Sequence, residues 1–175
     1  MNNHVILVDS NDKRVGVMEK MEAHQKGLLH RAFSVFLFND NNEMLIHQRA
    51  SKKYHCGGLW TNACCSHPQD GENIDQTIQR KLMQEMGITC PVEKAFNFVY
   101  RSELDNGLTE YEFDHVYTGK FSGIPKPNPE EVSDWKYVSL LNIENELANN
   151  PGNFTPWFQL LFSPLAAHLT SGSRV

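Results

Sequence analysis

The sequence predicts an α/β (α+β) fold in which a mixed β-sheet is flanked by helices. Three observations lead to this fold: strand-like segments joined by turn residues, one clear amphipathic helix in mid-chain, and two helical patterns near the end. The chain has 175 residues, of which 40% are hydrophobic and 21% are charged. A chain of this size can form one domain that buries about two-thirds of its unfolded surface. The composition excludes a disordered or collagen-like protein.

The first half of the chain contains two pairs of strand-like segments. Residues 4–9 and 14–19 alternate between apolar and polar positions, and residues 31–39 and 43–49 are rich in β-forming side chains. A turn rich in Asn and Asp separates the two members of each pair. Residues 50–71 follow no period and carry a Gly-Gly pair, so we expect a long ordered loop there.

The clearest helix lies over residues 73–86. Asn73 is a suitable N-cap, apolar residues follow at four-residue steps, and Gly87 supplies the C-terminal stop. The same kinds of pattern predict strands over residues 92–102, 109–120 and 135–138, and helices over residues 140–148 and 155–169.

The charge is unevenly distributed along the chain. Residues 1–81 hold ten Lys and Arg against nine Asp and Glu, whereas residues 82–175 hold six against twelve. Several bases lie close to Arg49 and Arg80 in the sequence without forming a long basic stripe. This pattern favours binding of a small anion such as a phosphate over a nucleic acid, with a solvated charged face as the alternative.

The sequence favours an intracellular location. No apolar run is long enough to span a bilayer, and the first residues lack the basic start and long apolar stretch of a signal peptide. We therefore expect a cytoplasmic protein without a membrane partner. In that compartment the cysteines should remain thiols; they are Cys56, Cys64, Cys65 and Cys90.

Two groups of side chains are candidate metal ligands. His24, His30 and His67 lie in segments otherwise short of predicted structure, and imidazoles often share a metal, although a single histidine is more often a surface or core residue. Glu110 and Glu112 alternate within a predicted strand, so both carboxylates lie on one face. Such a pair suggests metal ligation or acid/base chemistry, with a solvated sheet edge as the alternative.

Two further residue types could carry chemistry. Cys64 and Cys65 are adjacent, and in an extended segment they point to opposite sides, so one could line a cleft while the other packs. Trp157 begins the last predicted helix. An aromatic residue there is usually part of the core, but in a cleft its π face can stabilise a cation.

One segment is specific enough to suggest a family. Residues 58–68 read GLWTNACCSHP, which resembles the T-N-x-x-C-x-H-P hallmark of type I isopentenyl-diphosphate delta-isomerases. The match continues in residues 49–55, in the Glu110–Glu112 strand and in residues 154–157, and it covers roughly residues 4–165.

The resemblance implies a Nudix fold. The Nudix pattern, G-x5-E-x7-R-E-U-x-E-E-x-G-U, aligned on Gly87, finds matching residues at Glu72, Arg80, Leu82, Glu85 and Ile88, and departs from the pattern at Ser66, Lys81 and Gln84. Nudix hydrolases use the glutamates of this pattern to hold divalent metals. Their partial loss favours an isomerase. We expect one domain over residues 1–175, with a Nudix core at about 28–162 and N-terminal strands over residues 4–19 packed on it.

The resemblance also implies residue roles. One divalent metal, Mn²⁺ or Mg²⁺ with Zn²⁺ possible, would be held by His24, His30, His67, Glu110 and Glu112. Glu85 would help to hold a second Mg²⁺ that arrives with the substrate diphosphate. The diphosphate itself would be bound by Lys20, Arg49, Lys53 and Lys81. The catalytic residues would be Cys65, Glu112, Tyr100 and Trp157.

The implied reaction converts isopentenyl diphosphate to dimethylallyl diphosphate through a carbocation-like intermediate. The partner would be this small-molecule substrate, and the protein would be a monomer or weak homodimer. Two alternatives are a Nudix pyrophosphohydrolase of a small diphosphate and a non-catalytic metal-binding module. Neither alternative explains Cys65 together with Trp157.

Overall fold

The chain folds around one mixed β-sheet. The computed structural model describes residues 3–172. Within them the strands are β1 (His4–Val8), β2 (Arg14–Glu19), β3 (His30–Phe38), β4 (Glu43–Arg49), β5 (Trp60–Thr61), β6 (Cys64–Ser66), β7 (Val92–Glu103), β8 (Thr109–Lys120) and β9 (Val132–Ser139). The helices are α1 (Lys20–Lys26), α2 (Ile74–Met86), α3 (Leu140–Asn149) and α4 (Pro156–Gly172).

Strand β3 lies at the centre of this sheet. It pairs in parallel with β8 and antiparallel with β1, β4 and β6. Strand β7 extends the sheet beyond β8, β9 and β5 pair with β4, and the β1–β2 hairpin joins it where Leu7 faces His30. The expected mixed sheet flanked by helices is thereby confirmed.

The alternation of side chains along β3 explains the two apolar layers. Phe33 and Val35 pack in a cluster with Ile78 and Leu82 of α2, whereas Phe36 belongs to a second cluster. That second cluster contains the apolar face of α4, with Phe158, Leu161, Phe162 and Leu165. Because successive side chains of a strand point to opposite faces, one central strand anchors a helix on each side.

Helix α2 has the termini that the sequence predicts. The Asn73 side chain accepts hydrogen bonds from the backbone amides of Asp75 and Gln76, and Gly87 adopts the left-handed conformation that ends the helix. These caps satisfy amide and carbonyl groups that a helix leaves unpaired at its ends.

Two features differ from the sequence-based expectation. Residues 20–26 form α1, which the pattern analysis did not predict, and the expected loop over residues 50–71 contains the short strands β5 and β6. Within residues 3–172, no helix is long and apolar enough to cross a membrane.

Candidate active site

Four side chains meet where β3 and β8 begin to pair. His30 of β3 lies opposite Glu112 of β8 in the parallel ladder, α1 contributes His24, and His67 follows β6. One ligand atom from each of these four residues lies within 4.8 Å of all the others. The four groups are three imidazoles and one carboxylate, a donor set that suits a divalent transition metal.

The histidine tautomers fit metal binding. His24 Nδ1 lies 2.7 Å from the Lys20 carbonyl oxygen, and His30 Nδ1 lies 2.8 Å from that of Leu28. Since a carbonyl only accepts hydrogen bonds, each Nδ1 carries a proton, and in the neutral imidazole each Nε2 then keeps its lone pair. Both Nε2 atoms are buried and have no hydrogen-bond partner among residues 3–172. Such orphaned lone pairs fit a bound metal ion, whose ligating histidines are oriented in this way.

Burial keeps the imidazoles of His24 and His67 neutral. It lowers the pKa of His24 to about 4 and that of His67 to about 3. Neutral imidazole is the form that binds a metal, so these two ligands need not lose a proton near pH 7.

The carboxylates of Glu110 and Glu112 lie on one face of β8, as the alternation predicts, and both are buried. Tyr100 Oη donates to Glu112 Oε2 at 2.7 Å and lies 3.2 Å from Glu110 Oε2. Burial and the charge of Glu112 raise the pKa of Glu110. Burial alone would also raise the pKa of Glu112, but the adjacent imidazoles of His30 and His67 hold this pKa well below its ordinary value.

Glu110 lies beside the four-residue cluster and is not part of it. Its carboxylate is held by Tyr100 and lies 3.8 Å from His55 Nε2. The solvated sheet edge considered for this glutamate pair is wrong, because the two residues are 5% and 6% exposed.

The two adjacent cysteines face opposite sides, as predicted for an extended segment. Cys64 packs in the apolar cluster under α2, with Sγ 3.8 Å from Glu85 Oε2. Cys65 lies opposite Ser34 of β3, and its Sγ is 3.0 Å from Asn62 Oδ1 and 3.5 Å from Ser34 Oγ. Burial raises the pKa of the Cys65 thiol, so the proton stays on sulfur.

One cleft collects most of the candidate side chains. Its lining includes four cationic side chains, three carboxylates and four further candidate residues: Lys20, Arg49, Lys53, Lys81, Glu85, Glu110, Glu112, Cys65, His67, Tyr100 and Trp157. The buried rings of His24 and His30 lie behind the His67 and Glu112 side chains that line the cleft.

The cleft has cationic side chains near its acidic groups. Lys81 Nζ lies 3.1 Å from Glu85 Oε1, Lys53 is paired with Glu131, and the Arg49 guanidinium lies 5.2 Å from the centre of the Trp157 ring. Burial alone would lower the pKa of Lys81, but Glu85 raises it overall. A cleft lined in this way can hold an anionic substrate next to buried proton donors and acceptors.

The Nudix-pattern residues of α2 and of the segment before it contact one another. Arg80 Nη2 lies 2.8 Å from Glu72 Oε1, and Arg80 Nη1 contacts Gln84 Oε1 at 3.4 Å. The Glu72–Arg80 pair therefore ties the segment before α2 to the helix itself. Glu85 is the α2 carboxylate that lines the cleft.

Residue patterns do not predict several side chains that lie in the cleft or next to it. No residue pattern distinguishes His55 from an ordinary histidine, yet it lines the cleft and lies edge-on to Trp157, with ring centroids 5.7 Å apart. Thr61 and Asn62 connect other site residues, and buried Asp114 accepts a hydrogen bond from Ser34 at 2.7 Å. His55, Thr61 and Asn62 lie inside the strings that carry the family resemblance, which is the signal that could have found them.

The fold and the helix α2 define the class of protein. The NUDIX domain family model matches residues 28–158. A crystal structure of a Deinococcus radiodurans protein has a TM-score of 0.77 at 17% identity and covers 92% of this chain and 98% of its own. The MutT protein of Methanosarcina mazei has a TM-score of 0.65 at 18% identity, with 83% and 96% covered. The chain therefore belongs to the Nudix family.

Curated relatives of higher sequence identity indicate a particular family within the Nudix class. The isopentenyl-diphosphate Delta-isomerase of Pectobacterium atrosepticum is 51% identical over 159 residues, covering 91% of this chain and 89% of its own length. Isopentenyl-diphosphate Delta-isomerase 2 of Aromatoleum aromaticum is 46% identical, with 90% and 83% covered. Within the Nudix fold, this chain belongs to the isopentenyl-diphosphate Delta-isomerase family.

Proposed function

We propose that this protein converts isopentenyl diphosphate to dimethylallyl diphosphate, an isomerisation that supplies isoprenoid biosynthesis. The observation that carries the proposal is one cleft lined by the Cys65 thiol, the Glu112 carboxylate and the Trp157 indole. A proton-transfer reaction on a weakly basic alkene needs such groups held against the substrate, with water excluded.

The proton balance requires two groups. One adds a proton to the terminal alkene carbon, and the other removes a proton from the carbon next to the diphosphate-bearing carbon, so the double bond moves and no net proton is consumed. Cys65 and Glu112 fill these two roles in our proposal. Tyr100 hydrogen-bonds Glu112 at 2.7 Å and fixes the orientation of its carboxylate.

Trp157 supports the cationic intermediate. Its ring lies in the cleft and is 3% exposed, so little water competes for its face. A desolvated indole face stabilises a cation by about 2 kcal/mol. The Arg49 guanidinium near this ring is an additional indication that the face accepts positive charge.

The cationic side chains of the cleft would bind the diphosphate of the substrate. We assign Lys20, Arg49, Lys53 and Lys81 to its oxygens. A Mg²⁺ ion bound to the diphosphate would be held by Glu85, because Mg²⁺ typically uses one or two protein carboxylates together with substrate phosphates.

A resident divalent metal would be held by the four-residue cluster, His24, His30, His67 and Glu112. We keep Glu110 as a proposed fifth ligand. Mn²⁺ and Mg²⁺ are the first candidates, with Zn²⁺ next, and the bound ion would supply positive charge beside the substrate. All proposed ligands come from one chain, which supports a site complete in a monomer or a weak homodimer.

Proton NMR of isopentenyl diphosphate incubated with the protein and Mg²⁺ tests the proposal. The terminal methylene resonance should decrease to an equilibrium level while the resonances of the two methyl groups of dimethylallyl diphosphate appear. An unchanged spectrum with folded, metal-loaded protein would contradict it and would favour a non-catalytic metal-binding module.

The same incubation separates the isomerase from a pyrophosphohydrolase. Lys81 and Gln84 stand where the hydrolase pattern has carboxylates, and hydrolysis needs carboxylates or a second metal to orient water against phosphorus. We expect isomerisation without phosphate release in a coupled phosphate assay. Phosphate release from a nucleotide or from isopentenyl diphosphate at a rate matching isomerisation would favour the hydrolase.

A further inference from the structure

A buried chain of hydrogen bonds runs between Trp157 and Cys65. Trp157 Nε1 donates to Thr61 Oγ1 at 2.9 Å, and Thr61 Oγ1 donates to Asn62 Oδ1 at 3.0 Å. Cys65 Sγ donates to the same Asn62 Oδ1 at 3.0 Å. Thr61 and Asn62 are 1% and 0% exposed, so water does not compete for these bonds. The two residues between the indole and the thiol carry no role in the mechanism proposed above.

The direction of each bond follows from its chemistry. An indole nitrogen only donates, so Thr61 accepts from Trp157 and has its own proton free for Asn62. Asn62 Nδ2 donates to the carbonyl oxygens of Val35 at 3.0 Å and Cys64 at 2.9 Å. Both amide protons are therefore used, and Oδ1 can only accept. This arrangement fixes the Asn62 amide orientation without ambiguity.

This series of hydrogen bonds is connected to the rest of the fold at several points. Asn62 holds the backbone of β3 through Val35 and that of β6 through Cys64, and Thr61 also accepts from Thr155 Oγ1 at 3.1 Å. The indole and the thiol are thus attached to one rigid group, although they come from α4 and β6.

We propose that Thr61 and Asn62 are positioning residues that hold the Trp157 ring and the Cys65 sulfur in one fixed relative geometry. The inference rests on the proposed isomerase function. The intermediate must meet the π face and the proton-transferring group at the same time, so a small change in their separation lowers the chemical rate. Substrate binding depends instead on the diphosphate contacts proposed for the cationic side chains, so it is less sensitive to the relative geometry of the indole and the thiol.

Thr61→Val tests the proposal, because it keeps the shape of the side chain and removes its hydroxyl. We expect kcat to fall about ten- to hundred-fold, with KM changed by less than about twofold. Thr61→Ser restores the hydroxyl and should recover most of kcat. Thr77→Val is the matched control, since Thr77 is also a buried, hydrogen-bonded hydroxyl but lies on α2 away from the cleft. If Thr61→Val does not fold, Thr61→Ala takes its place in the comparison with Thr61→Ser.

A double-mutant cycle tests the connection itself. Trp157→Phe removes the indole donor, so adding Thr61→Val to it should cost clearly less in kcat than Thr61→Val costs in the wild type. Equal costs in the two backgrounds, or a kcat for Thr61→Val as high as for Thr77→Val, would overturn the proposal.

Hydrogen exchange of the Trp157 indole gives a readout independent of turnover. The Nε1–H resonance of Trp157, identified by its loss in Trp157→Phe, should exchange slowly in the wild type and in Thr61→Ser. It should exchange at least about tenfold faster in Thr61→Val. Slow exchange in Thr61→Val would contradict the positioning role of Thr61. A wild type that retains the slow exchange but does not isomerise would contradict the proposed function alone.

Discussion

Cys64 and Cys65 are adjacent in the sequence, but their surroundings give them different roles. Cys65 lines the cleft beside Asn62 and Ser34, whereas Cys64 is fully buried in the cluster under α2. We expect Cys65→Ala to lower kcat by about 10²–10⁴-fold or more, because it removes a positioned proton-transfer group. Cys64→Ala, the matched control, should retain most of the activity and lose some stability. Loss of activity in Cys64→Ala with full activity in Cys65→Ala would show that the wrong cysteine is assigned.

His67 and His55 provide a similar contrast for metal binding. His67 belongs to the four-residue cluster, whereas His55 lies in the same cleft near Glu110 and Trp157 and is not part of it. We expect His67→Ala to lose most of its bound metal and His55→Ala to retain it, as measured by metal analysis of the purified variants. Full metal occupancy in His67→Ala would remove this residue from the site.

At the scale of elements, predictability depends on how local the stabilising contacts are. The sequence predicts helix α2 together with both of its ends, because the cap residues and the apolar period lie within or next to the helix itself. Helix α1 has seven residues, too few for a clear period, and is stabilised by the Glu19 side chain at its N-terminus and by packing against β2 and β8. Strands β5 and β6 exist through pairing with β4 and β3, which periodicity does not reveal.

In the candidate site, too, the features that could be predicted are those that depend on local geometry. Spacing placed Glu110 and Glu112 on one face and the adjacent cysteines on opposite faces, because strand geometry is local. The convergence of His24, His30 and His67 needed the family resemblance, because the contacts between them are non-local. His30 and His67 approach through the pairing of β3 with β6, and His24 joins them through the packing of α1 against β8.

Gly87 gives a prediction at this scale. It has a φ of +64°, and a Cβ built there would lie 2.5 Å from the Lys126 carbonyl oxygen. We expect Gly87→Ala to lower the free energy of unfolding by more than about 1 kcal/mol, through left-handed backbone strain and this contact. Gly152→Ala is the control, because a Cβ there meets no atom within 4 Å. Denaturant unfolding measures both variants, and equal stability would contradict the strain argument.

At the scale of the whole molecule, buried histidines make stability depend on pH. His47 is 4% exposed, and its Nδ1 has no hydrogen-bond partner among residues 3–172. Burial, with the charge of Arg49, lowers its pKa to about 3, whereas an unfolded histidine has a pKa of about 6.5. Between these values the unfolded state binds a proton that the folded state does not. Stability from neutral His47 is therefore complete above pH 6.5 and is lost as the pH falls toward 3.

The expected loss is about 1.4 kcal/mol per pH unit over this interval. Other buried groups oppose it, because burial raises the pKa of Glu110 and Asp114, so the change is measured as a difference between two proteins. In metal-free samples, the stability advantage of the wild type over His47→Gln should shrink by about 2–3 kcal/mol between pH 7 and pH 4.5. Denaturant unfolding at both pH values gives this difference. A constant difference would mean that His47 takes up a proton equally in both states, and that its burial does not restrict its charge.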